Sequence, residues 1–117
     1  MKITSGVSGS GSRNHLVVVK GTLEEDLKDP VEVMKWDLPS PPKIQSIAWL
    51  VQEKMGLVLW WDEGEDFIVM ESRNLFVPPQ AIVPPANWGK FLYLTSFGVK
   101  SNEYFPKRFW FCINIDK

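Results

Sequence analysis

Few residues in this chain are equipped for chemistry. Four carboxylates, Asp62, Glu63, Glu65 and Asp66, surround Gly64, and clustered hard oxygens are the donor set Ca²⁺ takes. Their spacing is not that of an EF-hand loop, however, and they fall between two apolar runs, where a hairpin tip is expected. A solvated turn is the better reading. The same exposure argues against an acid–base pair, which needs a desolvated cleft to split two carboxyl pKa values. His15 is the only histidine and Cys112 the only cysteine. One imidazole and one thiol leave almost no material for a triad, a His-paired nucleophile or a His-ligated metal. The stretch Gly9-Ser10-Gly11-Ser12-Arg13-Asn14 shares only its glycines with a phosphate loop: no Lys-Ser/Thr pair follows, and it leads into a strand rather than a helix N-terminus. The expectation is a non-enzymatic protein with no catalytic residue, no metal ligand and no cofactor.

The unusual feature is aromatic. Six Trp, seven Phe and two Tyr occur in 117 residues. Trp49, Trp60, Trp61 and Trp110 fall in apolar runs, whereas Trp36 and Trp88 fall at strand ends or in loops. Adjacent residues of a strand point to opposite faces, so Trp60 and Trp61 cannot both enter one core, and Trp110 must point away from Phe109 and Phe111. Surplus Trp outside a core is either covered locally by the N-terminal arm and the proline segment or left as a contact surface for protein or sugar rings, where Trp and Arg typically dominate the binding energy. Lys107-Arg108-Phe109-Trp110-Phe111 also mixes bases with aromatics, as nucleic-acid strands do. The glycines of an RNP1 motif are missing and the net charge is −1, so no nucleic-acid partner is expected.

The elements that must position these residues follow a period of two. Leu16–Val19, Val31–Trp36, Ile44–Val51, Leu57–Trp61, Phe67–Met70, Leu75–Val77, Phe91–Thr95 and Phe105–Ile115 read as strands. The last alternates cleanly: Phe109, Phe111, Ile113 and Ile115 face one way, and Arg108, Trp110, Asn114 and Asp116 the other. Ile44–Val51 and Leu57–Trp61, separated by Gln52–Gly56, read as a hairpin, as do Leu57–Trp61 and Phe67–Met70 across the acidic turn. A single helical turn is expected around Glu24–Lys28, ended by Pro30. Pro39-Ser40-Pro41-Pro42 is read as a rigid connection despite its PxxP spacing. Residues 77–85, with Pro78, Pro79, Pro84 and Pro85, lack ladder donors and are expected to run outside the sheets.

About eight short antiparallel strands with frequent turns predict an all-β fold, a single jelly-roll-like β-sandwich, with an OB-like barrel as the alternative. Residues 1–14, rich in Gly and Ser, read as an extended N-terminal arm, and residues 15–117 as the β-sandwich domain. Such an arm is flexible by composition, and holding it in place requires a dock, often a neighbouring subunit. The length suits one domain with one real core. A single Cys excludes an intrachain disulfide, the N-terminus lacks the apolar core of a signal peptide, and no run is long enough for a membrane-spanning helix. Folding in a reducing cytoplasm, with no membrane partner, is expected.

The order of these signals resembles one family. Gly11-Ser12-Arg13-Asn14 runs directly into Leu16–Val19; Ile47-Ala48-Trp49, a tight loop and Leu59-Trp60-Trp61-Asp62 follow; then come Gly89, Leu94-Thr95, Gly98 and a closing strand. This layout resembles small virion proteins of tailed bacteriophages, of the capsid decoration or cement type. The Pro-rich residues 77–85 depart from the pattern, standing where such proteins carry glycine-rich loops. The resemblance implies a structural protein, made in the host cytoplasm and carried on the capsid surface of the virion. It would bind the major capsid protein, copies of itself, or both, in a homo-oligomeric assembly. Arg13, Asn14, Trp36, Trp60 and Trp88 are the expected partner-binding residues. The alternative is a carbohydrate- or host-receptor-binding β-module that uses exposed Trp faces as stacking platforms.

Overall fold

A computed structural model describes residues 2–8, 14–38, 40–62, 65–99 and 106–116. Nine strands form: β1 (Lys2–Ser8), β2 (Asn14–Leu23), β3 (Val31–Lys35), β4 (Lys43–Val51), β5 (Gly56–Asp62), β6 (Glu65–Glu71), β7 (Arg73–Phe76), β8 (Phe91–Phe97) and β9 (Lys107–Asp116). They make two antiparallel sheets, ordered β1-β2-β9-β4-β7 and β3-β8-β5-β6. Without β1, the pairs nest: β2 with β9, β3 with β8, β4 with β7, β5 with β6. Alternate pairs lie in opposite sheets, which is the wrapping of a long hairpin into a jelly roll. The sandwich is therefore correct, and the OB-like barrel is not, since the two sheets stay open and share no strand.

Alternation fills the space between the sheets. Val17, Val19, Ile44, Ile47, Phe111, Ile113 and Ile115 from the five-stranded sheet meet Leu57, Leu59, Met70, Leu92 and Leu94 from the other, all at most 1% exposed. Burying each such side chain contributes about 1.5–3 kcal/mol before entropy is counted. Phe109 and Phe111 stack along β9, with ring centroids 6.2 Å apart. Outside the sheets, residues 77–85 touch the ladder once, where Ile82 and Ile44 exchange two backbone hydrogen bonds of 2.9 Å.

Three expectations need correction. Ile44–Val51 and Leu57–Trp61 do not form a hairpin. β4 and β5 belong to different sheets, so Gln52–Met55 carries the chain across the sandwich. No helical turn forms at Glu24–Lys28. The segment is tied to β8 instead: Leu27 N–H donates to Ser96 Oγ at 2.8 Å, and Ser96 Oγ and Val99 N–H donate to Asp26 Oδ1 at 3.2 and 3.0 Å. Finally, Lys2–Ser8 is not an arm reaching away. It is an edge strand on its own domain, paired residue for residue with Leu16–Thr22, and Ile3 packs against the core.

Candidate binding face

Strand parity generates the surface. On β9 the inward positions take Phe109 and Phe111, so Arg108, Trp110 and Cys112 must face out. The register then fixes their neighbours. One row across the five-stranded sheet reads Thr4, Lys20, Trp110, Leu50, Arg73, and the next reads Gly6, Val18, Cys112, Ala48, Leu75. Trp110 is 39% exposed, Leu50 54% and Leu75 60%. Three large apolar side chains thus stand in solvent on adjacent strands, about 4.8 Å apart from strand to strand. Trp110 forms a ridge between two troughs. One, of about 390 Å³, is lined by Thr4, Lys20, Gly21, Thr22 and Arg108; the other, of about 310 Å³, by Leu50, Val51, Gln52 and Arg108. Beside them the Cys112 thiol, partly covered by the sheet, has its pKa pushed up by burial.

The four-stranded sheet also turns apolar groups outward. Trp60, Tyr93, Phe91 and Val58 are half-buried there, and Val69 and Phe97 are exposed. Phe97 lies over Gly56, its cross-strand partner, where any Cβ would run into the ring. Lys35 Nζ sits 5.9 Å from the Phe91 ring centroid.

The expected binding residues scatter. Arg13 lies outside the described residues. Asn14 opens β2, half-buried opposite Asp116. Trp36 is only 6% exposed; its indole donates to the Ser40 carbonyl at 2.7 Å and stands perpendicular to the His15 ring, centroids 6.0 Å apart. Trp88 is half-buried and donates to the carbonyls of Trp61 and Phe91 at 2.9 and 2.7 Å. Trp36 and Trp88 line one cleft of about 200 Å³, together with Pro41, Pro84 and Pro85. Their indole N–H groups there are committed to the chain's own carbonyls. Trp60 reaches the outer face, although its indole is committed to Thr95 Oγ1 at 2.8 Å. Trp110 and Leu50 are cross-strand neighbours in one outward row, and Leu75 stands exposed in the next. Trp110 was legible from parity, whereas Leu50 and Leu75 required the register of β4 with β7 and β9.

Among the described residues, no group of three or more His, Cys, Asp or Glu side chains lies together to hold a metal ion. Of the acidic turn, Asp62 and Glu65 pair across the ends of β5 and β6, while Glu63 and Gly64 lie outside the described residues. No helix among the described residues is long and apolar enough to cross a membrane. Comparison with known proteins finds no family model that matches the chain, and no curated protein or solved structure that matches it.

Proposed function

We propose that this protein is a virion structural protein of the capsid decoration or cement type, a non-enzymatic adhesive module on the capsid surface. The observation that carries the reading is the set of exposed Trp110, Leu50 and Leu75 side chains on the adjacent strands β9, β4 and β7 of the five-stranded sheet. Exposed contiguous apolar surface of this kind marks an interaction site rather than a solvated face. The jelly roll supports the reading by analogy, since the architecture serves viral capsids and lectins alike. Its partner is the major capsid protein, with copies of itself added through the β1 edge. That edge favours self-association because its central residues, Ile3–Val7, carry no charge and no proline to blunt pairing. On a lattice, many weak contacts suffice through avidity.

The competing carbohydrate-binding module fits the patch less well. A sugar ring stacks on Trp110, but the aliphatic Leu50 and Leu75 offer it no platform and match apolar side chains of a protein instead. Co-sedimentation with assembled capsid shells of the encoding phage tests the proposal. The wild-type protein pellets with the shells, and the Trp110→Ala/Leu50→Ser double variant loses at least about tenfold in occupancy. Wild-type protein left in the supernatant, or equal occupancy of the double variant, overturns the assignment; hits confined to a glycan array would favour the lectin-like module.

A further inference from the structure

We infer that the partner presented to the Trp110 face is an acidic protein surface, one that offers an apolar side chain flanked by carboxylates. The inference rests on the reading that this face meets a protein, and adds the chemistry of that protein. It comes from the charges that surround the apolar row. Lys20 is the cross-strand neighbour of Trp110, Arg108 lies two residues before it on the same face, and Arg73 follows Leu50 in the same row. All three are exposed, and none makes an ion pair among the described residues. No carboxylate shares these rows. The outward carboxylate of β9, Asp116, is six residues from Trp110, about 20 Å along the strand. In a chain whose net charge is −1, this is a local concentration of positive charge.

Lys20 and Arg108 also line the larger trough beside Trp110, together with Gly21. An apolar side chain entering that trough would lie against the indole and place adjacent carboxylates beside the ammonium and guanidinium groups. Arg73 offers a third such contact on the far side of Leu50. A segment that carries an apolar side chain with carboxylates close beside it matches this arrangement, because the trough takes the apolar group and the cations lining it meet the flanking carboxylates. Single-stranded nucleic acid matches it less well: the face holds one exposed aromatic platform, and Leu50 and Leu75 do not stack on bases.

The test uses a fluorescein-labelled peptide of about ten residues that alternates Glu with Phe and Leu, and a twin with Lys for each Glu. Anisotropy is read at about 50 mM and about 500 mM NaCl. The acidic peptide should bind, weaken about tenfold at the higher salt, and outcompete its basic twin. Lys20→Glu/Arg108→Glu should reverse that preference, and Arg73→Glu, on another strand, should weaken the acidic peptide alone. These side chains are exposed, so circular dichroism should show all variants folded. Equal binding of the two peptides, binding of neither, or a preference unmoved by charge reversal overturns the inference. Those outcomes leave the shell-binding test of Trp110 and Leu50 untouched, so the two readings fail separately.

Discussion

Trp88 and Trp110 put the same side chain to opposite uses, and their substitutions should separate accordingly. Trp88 packs edge-on against Trp61, with centroids 5.1 Å apart, and its single N–H is shared by two carbonyls. Trp88→Phe keeps most of the ring and removes the donor, so urea denaturation should show a loss of about 1–3 kcal/mol. Trp110 presents its ring to solvent, and Trp110→Ala should change stability by no more than about 1 kcal/mol while abolishing most shell binding. A large loss of stability in Trp110→Ala would mean that the ring is part of the fold rather than of the surface. Cys112 gives a pH-dependent check on the same face. Burial raises the thiol's pKa above its ordinary value of 9.0, so the native state holds the proton more tightly than the unfolded chain. The stabilisation is complete below that value and is lost as pH rises through the higher native one. Near pH 9.0 iodoacetamide should therefore alkylate the native protein more slowly than the urea-unfolded chain; equal rates would contradict a shielded thiol.

At the scale of elements, the sequence was informative where a residue's partner is its own strand and weak where the partner lies elsewhere. Alternation located β9 and the side on which Trp110 stands, and the two Pro-Pro pairs kept residues 77–85 out of the ladder. Glycine and charge at 52–56, however, look the same in a hairpin loop and in a crossing between sheets. The choice is made by β7 and β9 taking both sides of β4, a non-local fact. The same reason hid the β1 edge strand, since Gly and Ser in Lys2–Ser8 have poor strand propensity and only the register with β2 orders them. The crossing loop depends on Gly98, whose φ of +82° and close approach to the Lys54 carbonyl leave no room for a Cβ. Gly98→Ala should cost upwards of about 1 kcal/mol in chemical denaturation. Native-like stability would show that Gln52–Met55 can shift away.

For the whole molecule, the nested pairing makes the strands unequal. The chain is a hairpin whose tip, β5 with β6, is local, and whose closing pair, β2 with β9, joins residues about ninety positions apart. Such non-local ladders must pay loop-closure entropy before contacts return it, which places refolding in the millisecond-to-second range. β9 bears most of this burden. It lies between β2 and β4 and supplies Phe109, Phe111, Ile113 and Ile115 to the core, each at most 4% exposed. β1 sits at the edge, where Ile3 packs only at the margin of that core. Removing an edge strand uncovers one side of β2, whereas removing β9 separates β2 from β4 and dissolves the five-stranded sheet. A chain beginning at residue 9 should therefore keep a dispersed amide NMR spectrum, with lower stability and more self-association through bare β2. A chain ending at residue 106 should give a collapsed, undispersed spectrum at any temperature. Native-like dispersion in the latter would show that the β3-β8-β5-β6 sheet folds alone. The Trp110 face would then be an addition to a finished core rather than the outer side of the strand that completes it.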